Sequence, residues 1–285
     1  MKNIFRNYDK MNATEIKILQ YIIKNIDEIV NFTGATSFHF SGKRIKQSSM
    51  EYRKENVNMG LKEFSEFEIL ETDENLVREV ADYLSKFTYP FEALKGISEL
   101  ITSLGESLDS SIYEKRGENV WVAKSAKVAP TAFLGAPCII GENTEVRHCA
   151  FIRGSALVGN DCVVGNSVEL KNVIIFDNVQ VPHYNYVGDS VLGYHSHMGA
   201  GSITSNVKSD KTKVVIKAET EGLETGLKKV GAFLGDYVEV GCNSVLNPGT
   251  VIGRNSNVYP LSMVRGVVPP NSIYKKKGDI VEKNA

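Results

Sequence analysis

The sequence predicts a mainly β protein, a parallel β-helix of hexapeptide repeats preceded by a small, mostly α-helical N-terminal domain. Large apolar residues or proline recur at a six-residue step from Val122 through Val128, Leu134, Ile140, Val146, Ile152, Val158, Val164, Leu170 and Phe176 to Pro182. The step resumes at Leu234, Val240, Leu246, Ile252, Val258 and Val264. Glycine often follows the large residue (Gly135, Gly141, Gly159, Gly165), and four places after it stands a small or β-branched one (Ala126, Ala132, Thr144, Ala150, Ala156, Val168). A six-residue period matches neither a 3.6-residue helix nor a two-residue alternation. It reports short flat strands joined by tight corners, three strands to a coil.

Before Val120 that rhythm is absent and the spacing is helical. Asn12-Ala13-Thr14-Glu15 offers capping residues ahead of Ile16, Leu19, Ile22, Ile23, Ile26 and Val30. Thr72-Asp73 can cap a second helix carrying Leu76, Val77, Val80, Leu84 and Phe87, which Pro90 closes. A third helix carries Phe91, Leu94, Ile97, Ile101, Leu104 and Leu108. The stretch Phe32 to Leu70 shows no sustained period and is left unassigned. The helical domain is placed over 1–110, with no role assigned. Because Asp109 to Asn119 is polar and turn-rich, a linker is placed over 111–119 and the β-helix over 120–285.

A solenoid needs covered ends, since each coil buries its face only against a neighbour. The helical domain is expected to supply one cap. VVPPNSIYKKKG at Val267 to Gly278 is expected to supply the other, on the ground that Pro269-Pro270 cannot continue the ladder. The rhythm is expected to break twice: at Pro182 to Val187, where HYNY intervenes, and at Ser205 to Gly231. The second stretch is too long and polar to continue the coil, so a loop or hairpin projecting near 206–230 is predicted.

Composition narrows the function. The chain has 285 residues, 42% hydrophobic and 24% charged, which is room for two modest domains of ordinary make-up. A net charge of −1 gives no global attraction to nucleic acid. Residues 1–118 hold 16 Lys+Arg against 20 Asp+Glu, which argues against DNA binding by the helical part. The remainder, 17 against 14, suits an anionic ligand. The N-terminus has no apolar core of signal-peptide length and no window reaches a membrane span, so a cytoplasmic protein with no membrane partner is expected. Cys138, Cys149, Cys162 and Cys242 show no CxxC spacing and read as buried small hydrophobes in a reducing compartment.

The chemistry is sought where the repeat breaks. His183 and Tyr186 stand in VPHYNYVGD, at a corner that brings side chains to the surface, and an imidazole can take a proton from an amine at neutral pH. Arg153 and Lys171 are one three-strand coil apart, each just after a core residue, and two stacked cations make a phosphate site. Gly199 to Asn206, GAGSITSN, offers small residues that let a backbone approach a ligand. Asn206, Lys208, Lys211 and Lys213 form a polar, cationic loop base. His195 and His197 beside His183 raise a zinc alternative, but no acidic or cysteine ligand accompanies them at a typical spacing, and no metal is expected.

VGNSVELKN, followed at matching distances by HYNYVGDS and GAGSITSN, resembles the left-handed β-helix domain of bacterial bifunctional N-acetylglucosamine-1-phosphate uridyltransferase/glucosamine-1-phosphate acetyltransferases. The resemblance to archaeal sugar-1-phosphate nucleotidylyltransferase/acetyltransferases extends to ETGLKKVGAFLGDYVEVGCNSVLNPGTVIG, so that it covers roughly Val120 to Lys277. It implies left-handed coiling, a homotrimer with sites between subunits, and acetyl transfer from acetyl-CoA to the amine of a hexosamine 1-phosphate. His183 falls on the general base. Arg153 and Lys171 fall on phosphate ligands, joined by Tyr186. Asn206 falls on a substrate-contacting asparagine, Lys211 or Lys213 on a loop lysine that also contacts substrate, and Gly199, Ala200 and Gly201 on the backbone facing acetyl-CoA. His197 stands where the bacterial enzymes have a substrate-binding asparagine, and Val207 replaces a tyrosine; both bear on which sugar is taken. Residues 1–118 hold no glycine-rich, basic nucleotide-binding segment, so uridyl transfer is not expected. The rival reading is a non-catalytic module that binds a sugar phosphate or nucleotide sugar.

Overall fold

The computed structural model describes residues 43–47, 68–72, 83, 86–217 and 222–283. The first expected helix lies outside the described residues. So does most of the second, of which Tyr83 is helical. The unassigned stretch contains strand Lys43–Gln47, paired antiparallel with Glu68–Thr72.

From Val120 onward the chain is a three-walled parallel β-helix. One wall starts with Val120–Ala123, Cys138–Ile140 and Ala156–Val158, in parallel register with Ile140 opposite Val158. A second wall includes Lys127–Val128, Glu145–Val146, Val163–Asn166, Gln180–His183 and His197–Met198. The third starts with Phe133–Leu134 and Phe151–Ile152. The six-step residues point inward and fill a continuous core, in which Ile140, Ile152, Leu170, Leu246 and Ile252 are fully buried. The small residues four places on, such as Thr144, Ala150, Ala156 and Val168, are buried with them, just before or at the start of the next strand. Cys138 and Cys162 are among these buried positions, and burial pushes both thiols up to about 12. Cys149 and Cys242 instead lie exposed, contrary to the expectation for all four, because they sit at corners facing solvent.

The rhythm slips in places the sequence did not predict. Val181 and Val187 are both core residues six apart, so HYNY causes no break. The slips flank it, at the five-residue steps Leu170 to Ile175 and Val187 to Leu192, within the strands Glu169–Ile175 and Tyr186–Leu192. Ile175 and Val181 therefore occupy the core positions expected for Phe176 and Pro182. Each of these strands passes through a corner on one left-handed residue, Asn172 at φ 54° and Asp189 at φ 49°. By running through, they join the first and third walls into one fourteen-stranded sheet.

The first wall is apolar on its outer side too. Trp121, Ile139, Leu157 and Ile174 face outward and are covered by helix Ile97–Ser107 through Ile97, Leu100, Ile101 and Leu104. The third helix thus forms, divided by a 3₁₀ turn over Leu94–Gly96. A Cβ on Gly105 would meet the Trp121 ring at 2.3 Å, so this glycine permits the close approach. Burying one leucine or isoleucine in such a contact contributes about 1.5–3 kcal/mol.

The long insertion is a hairpin, Val215–Lys217 with Gly222–Glu224. It folds back on the solenoid instead of only projecting: Val214, Ile216 and Val230 are buried with Phe233 and Val251 of the same outer row. Both ends are closed by antiparallel pairing. Tyr113–Gly117, within the expected linker, pairs with Val120–Ala123. At the far end the ladder continues past Pro269-Pro270, since Ser272–Lys276 pairs in parallel with Asn257–Val258 before Asp279–Glu282 returns antiparallel. The prolines occupy the corner beside Gly253, where no ladder donor is needed.

Candidate functional site

The two shortened coils bring charged and polar side chains together around Asp189. Its side chain is only 5% exposed. Three donors reach it: Lys171 Nζ at 3.2 Å from Oδ1, Asn172 Nδ2 at 2.9 Å from Oδ1, and Asn206 Nδ2 at 2.5 Å from Oδ2. They come from the coil before Asp189 and the coil after it, which the register Lys171↔Gly188 and Tyr186↔Ile203 stacks directly. A buried carboxylate keeps its charge only when so partnered, which makes this residue the hub that sequence reading missed. Asn172 and Glu169 were missed with it. The one signal was the seventeen-residue spacing of two non-glycine residues able to adopt the left-handed conformation, Asn172 and Asp189.

Arg153 lies on the adjacent coil: its N–H donates to the Leu170 carbonyl at 2.9 Å. Its guanidinium is 2.8 Å from Glu169 Oε1, and that hydrogen bond and charge hold it above its ordinary pKa. Both cations therefore already have carboxylate partners. They are not equivalent. Arg153 and Glu169 are exposed or partly so, and a pair of this kind is worth little and exchanges readily. Lys171 is tied to a buried carboxylate, which resists losing its partner. Asn206 Nδ2 also donates to the Tyr186 hydroxyl at 3.0 Å. Burial, and next the negative charge of Asp189, raise the pKa of that phenol.

His183 is exposed at the next corner round the coil from Tyr186. Its backbone is fastened: its N–H donates to Asn185 Oδ1 at 3.1 Å, while buried Asn185 Nδ2 donates to the carbonyls of Gly199 and Ser202 at 2.8 and 2.9 Å. The imidazole itself has no hydrogen-bond partner among the described residues.

Gly199 and Gly201 are structural in this setting. Gly199 N–H donates to the Val240 carbonyl and Gly201 N–H to that of His183. A Cβ on Gly199 would meet the backbone of Cys242 at 2.7 Å, so the stacking of coils requires this glycine. Between them, the Ala200 N–H makes no hydrogen bond among the described residues.

The remaining candidates stand apart from the Asp189 cluster. His197 faces outward from the second wall, with Nδ1 2.7 Å from Glu239 Oε2. His195 stacks on Tyr237 at 5.3 Å, so the three neighbouring histidines do not converge. Lys211 and Lys213 are exposed in the chain leading to the hairpin and make no contact with the cluster among the described residues. The base of that insertion is nonetheless tied to the site, because Val230 N–H donates to the Asn206 carbonyl at 3.0 Å.

Fold and cluster together define a hexapeptide-repeat solenoid similar to the acetyltransferase domain of bifunctional sugar-1-phosphate nucleotidylyltransferase/acetyltransferases. Residues 137–268 match the family model described as GMPPB C-terminal domain. The bifunctional sugar-1-phosphate nucleotidylyltransferase/acetyltransferase of Sulfurisphaera tokodaii is 32% identical over 106 residues, 37% of this chain and 26% of that protein. The bifunctional protein GlmU of Methanococcus maripaludis is 32% identical over 112 residues, 39% of this chain and 27% of that one. The chain thus spans about a quarter of the length of these curated relatives. Among solved structures, a hexapeptide transferase family protein from Anaplasma phagocytophilum aligns with a TM-score of 0.39 at 15% identity, covering 57% of this chain and 78% of that one.

Proposed function

We propose that this chain is an N-acetyltransferase that moves the acetyl group of acetyl-CoA to the amine of a hexosamine 1-phosphate, acting in the cytoplasm as a homotrimer with sites between subunits. The observation that carries the reading is the gathering of Arg153, Lys171, Tyr186 and Asn206 on consecutive coils around Asp189, one corner from His183 and the uncommitted Ala200 N–H.

In this reading the sugar phosphate draws Arg153 from its exposed partner Glu169, while Lys171 stays on Asp189 and offers its remaining N–H donors. Tyr186 and Asn206 contact the sugar, as does His197. Lys211 and Lys213 reach it from the insertion, across a subunit boundary. His183 takes the proton of the amine as the amine attacks the thioester carbonyl. The oxyanion that forms accepts a hydrogen bond from Ala200 N–H, the donor that the repeat leaves free between Gly199 and Gly201. Collapse releases the CoA thiolate, which takes up the proton that His183 removed from the amine and leaves as the thiol.

The test is thiol release from acetyl-CoA with glucosamine 1-phosphate, galactosamine 1-phosphate and the unphosphorylated sugars. Release is expected only with a phosphorylated amine, and His183→Ala is expected to lower it by about 10²- to 10⁴-fold, the usual contribution of a general base. No release with any of these acceptors, together with no heat of acetyl-CoA binding, would leave a non-catalytic sugar-phosphate module as the better reading.

A further inference from the structure

Among the described histidines, His197 alone carries a carboxylate on its ring, Glu239 Oε2 at 2.7 Å from Nδ1. His148 meets the Thr131 hydroxyl and His195 stacks on Tyr237. The two partners occupy directly paired positions, His197↔Glu239, on neighbouring strands. Cross-strand pairs of this kind interact through their side chains. The folded insertion between them in sequence is what allows the pairing.

The chemistry of the contact fixes the ring. An ionised carboxylate only accepts, so the proton of a neutral His197 imidazole sits on Nδ1, and Nε2 is left as a bare acceptor. The location gives that acceptor a use. Met198 points into the core, so His197 and Gly199 share the outward face, about 7 Å apart at the ordinary rise of a strand. Gly199 is the residue whose carbonyl anchors Asn185, and Asn185 in turn anchors His183.

Resting on the transferase reading, we infer that Glu239 is a positioning residue that sets the His197 tautomer, and that His197 Nε2 accepts a hydrogen bond from a hydroxyl or amino group of the acceptor sugar. The pair then determines specificity. A donor group on the sugar fits Nε2, and an anion does not, which assigns the phosphate to the Arg153 and Lys171 side and the sugar ring to the span between.

The experiment combines ¹⁵N–¹H correlation spectra of the imidazoles with steady-state kinetics on the full chain, for wild type, Glu239→Gln, Glu239→Asp, His197→Ala and the Glu239→Gln/His197→Ala double variant. The wild type is expected to show the Nδ1–H tautomer, and glucosamine 1-phosphate to shift the Nε2 resonance. Glu239→Gln, whose amide can donate as well as accept, should populate both tautomers and raise the acceptor KM by up to roughly tenfold, the effect of one neutral hydrogen bond, with kcat and the acetyl-CoA KM within about twofold. Glu239→Asp should restore part of the affinity, and the double variant should match His197→Ala. An Nε2–H tautomer in the wild type, a fall in kcat at unchanged KM, or additive losses in the double variant would each overturn the inference. If the wild type transfers nothing, the transferase reading fails by itself. The tautomer and the response of Nε2 to glucosamine 1-phosphate then decide this inference, which falls if the resonance does not move.

Discussion

Two walls of the fourteen-stranded sheet share their inward rhythm and differ in what they turn outward. On the first, Trp121, Ile139, Leu157, Ile174, Phe233 and Val251 lie under the helix Ile97–Ser107 or the folded insertion. On the other, the equivalent row runs Phe133, Phe151, Glu169, Tyr186, Ile203 and Val245, and its middle members belong to the Asp189 cluster. The repeat dictates the inner residue of each strand and leaves the outer one free. One wall spends that freedom on covering elements, and the other on charged and polar chemistry at the two shortened coils.

The contrast can be broken from either side. Leu157→Ala removes a buried side chain from beneath the helix and should cost about 2–5 kcal/mol in urea unfolding, with the helix loosened first in hydrogen exchange. A loss under about 1 kcal/mol would mean that the helix does not hold that wall. On the opposite wall, Asp189→Ala leaves Lys171, Asn172 and Asn206 without their common acceptor. A stability loss of about 1–3 kcal/mol is expected, with a larger effect on sugar-phosphate affinity than Leu157→Ala shows. Tyr186→Phe removes only the hydroxyl that accepts from Asn206, for about 0.5–1.5 kcal/mol. Because burial and Asp189 raise the Tyr186 pKa, the difference between wild-type and Tyr186→Phe absorbance titrations should place this phenol's ionisation above that of a free tyrosine. The smallest effect belongs to Glu106→Gln, which breaks the exposed 2.8 Å pair between the helix and Lys115 of the first hairpin. It should change stability by less than about 1 kcal/mol and disappear in high salt.

The solenoid was legible because a six-residue period has few physical solutions. Its slips were not. Val173, Ile174, Ile175 and Phe176 are consecutive apolar residues, and the string itself does not say whether Ile175 or Phe176 turns inward. The covering helix decides it, since Phe176 joins the outer cluster with Leu157 and Ile174. Docking of the insertion was hidden for a related reason. Val214, Val215 and Ile216 are three consecutive apolar residues, and nothing local says that Val214 and Ile216 turn inward while Val215 faces out, or names the wall they meet. The cations and His183 stood out by residue type and spacing. Asp189 did not, because a buried charge is recognisable only through partners brought from other coils.

The paired hairpins at the two ends carry a consequence for how such a chain changes length. Each coil of the regular part, as between Ile140 and Val158, repeats one register, whereas the terminal strands meet the stack in the opposite sense. A coil duplicated or deleted between Val122 and Val146, ahead of Arg153, would therefore shift one terminus along the axis without opening either, and would leave the Asp189 neighbourhood as it was. The covering helix would have to rematch the outer row of Trp121, Ile139 and Leu157. The molecule behaves as a ruler with stops at both ends: its middle can be recut by gene duplication, while the stops keep one copy from stacking end to end into a fibre.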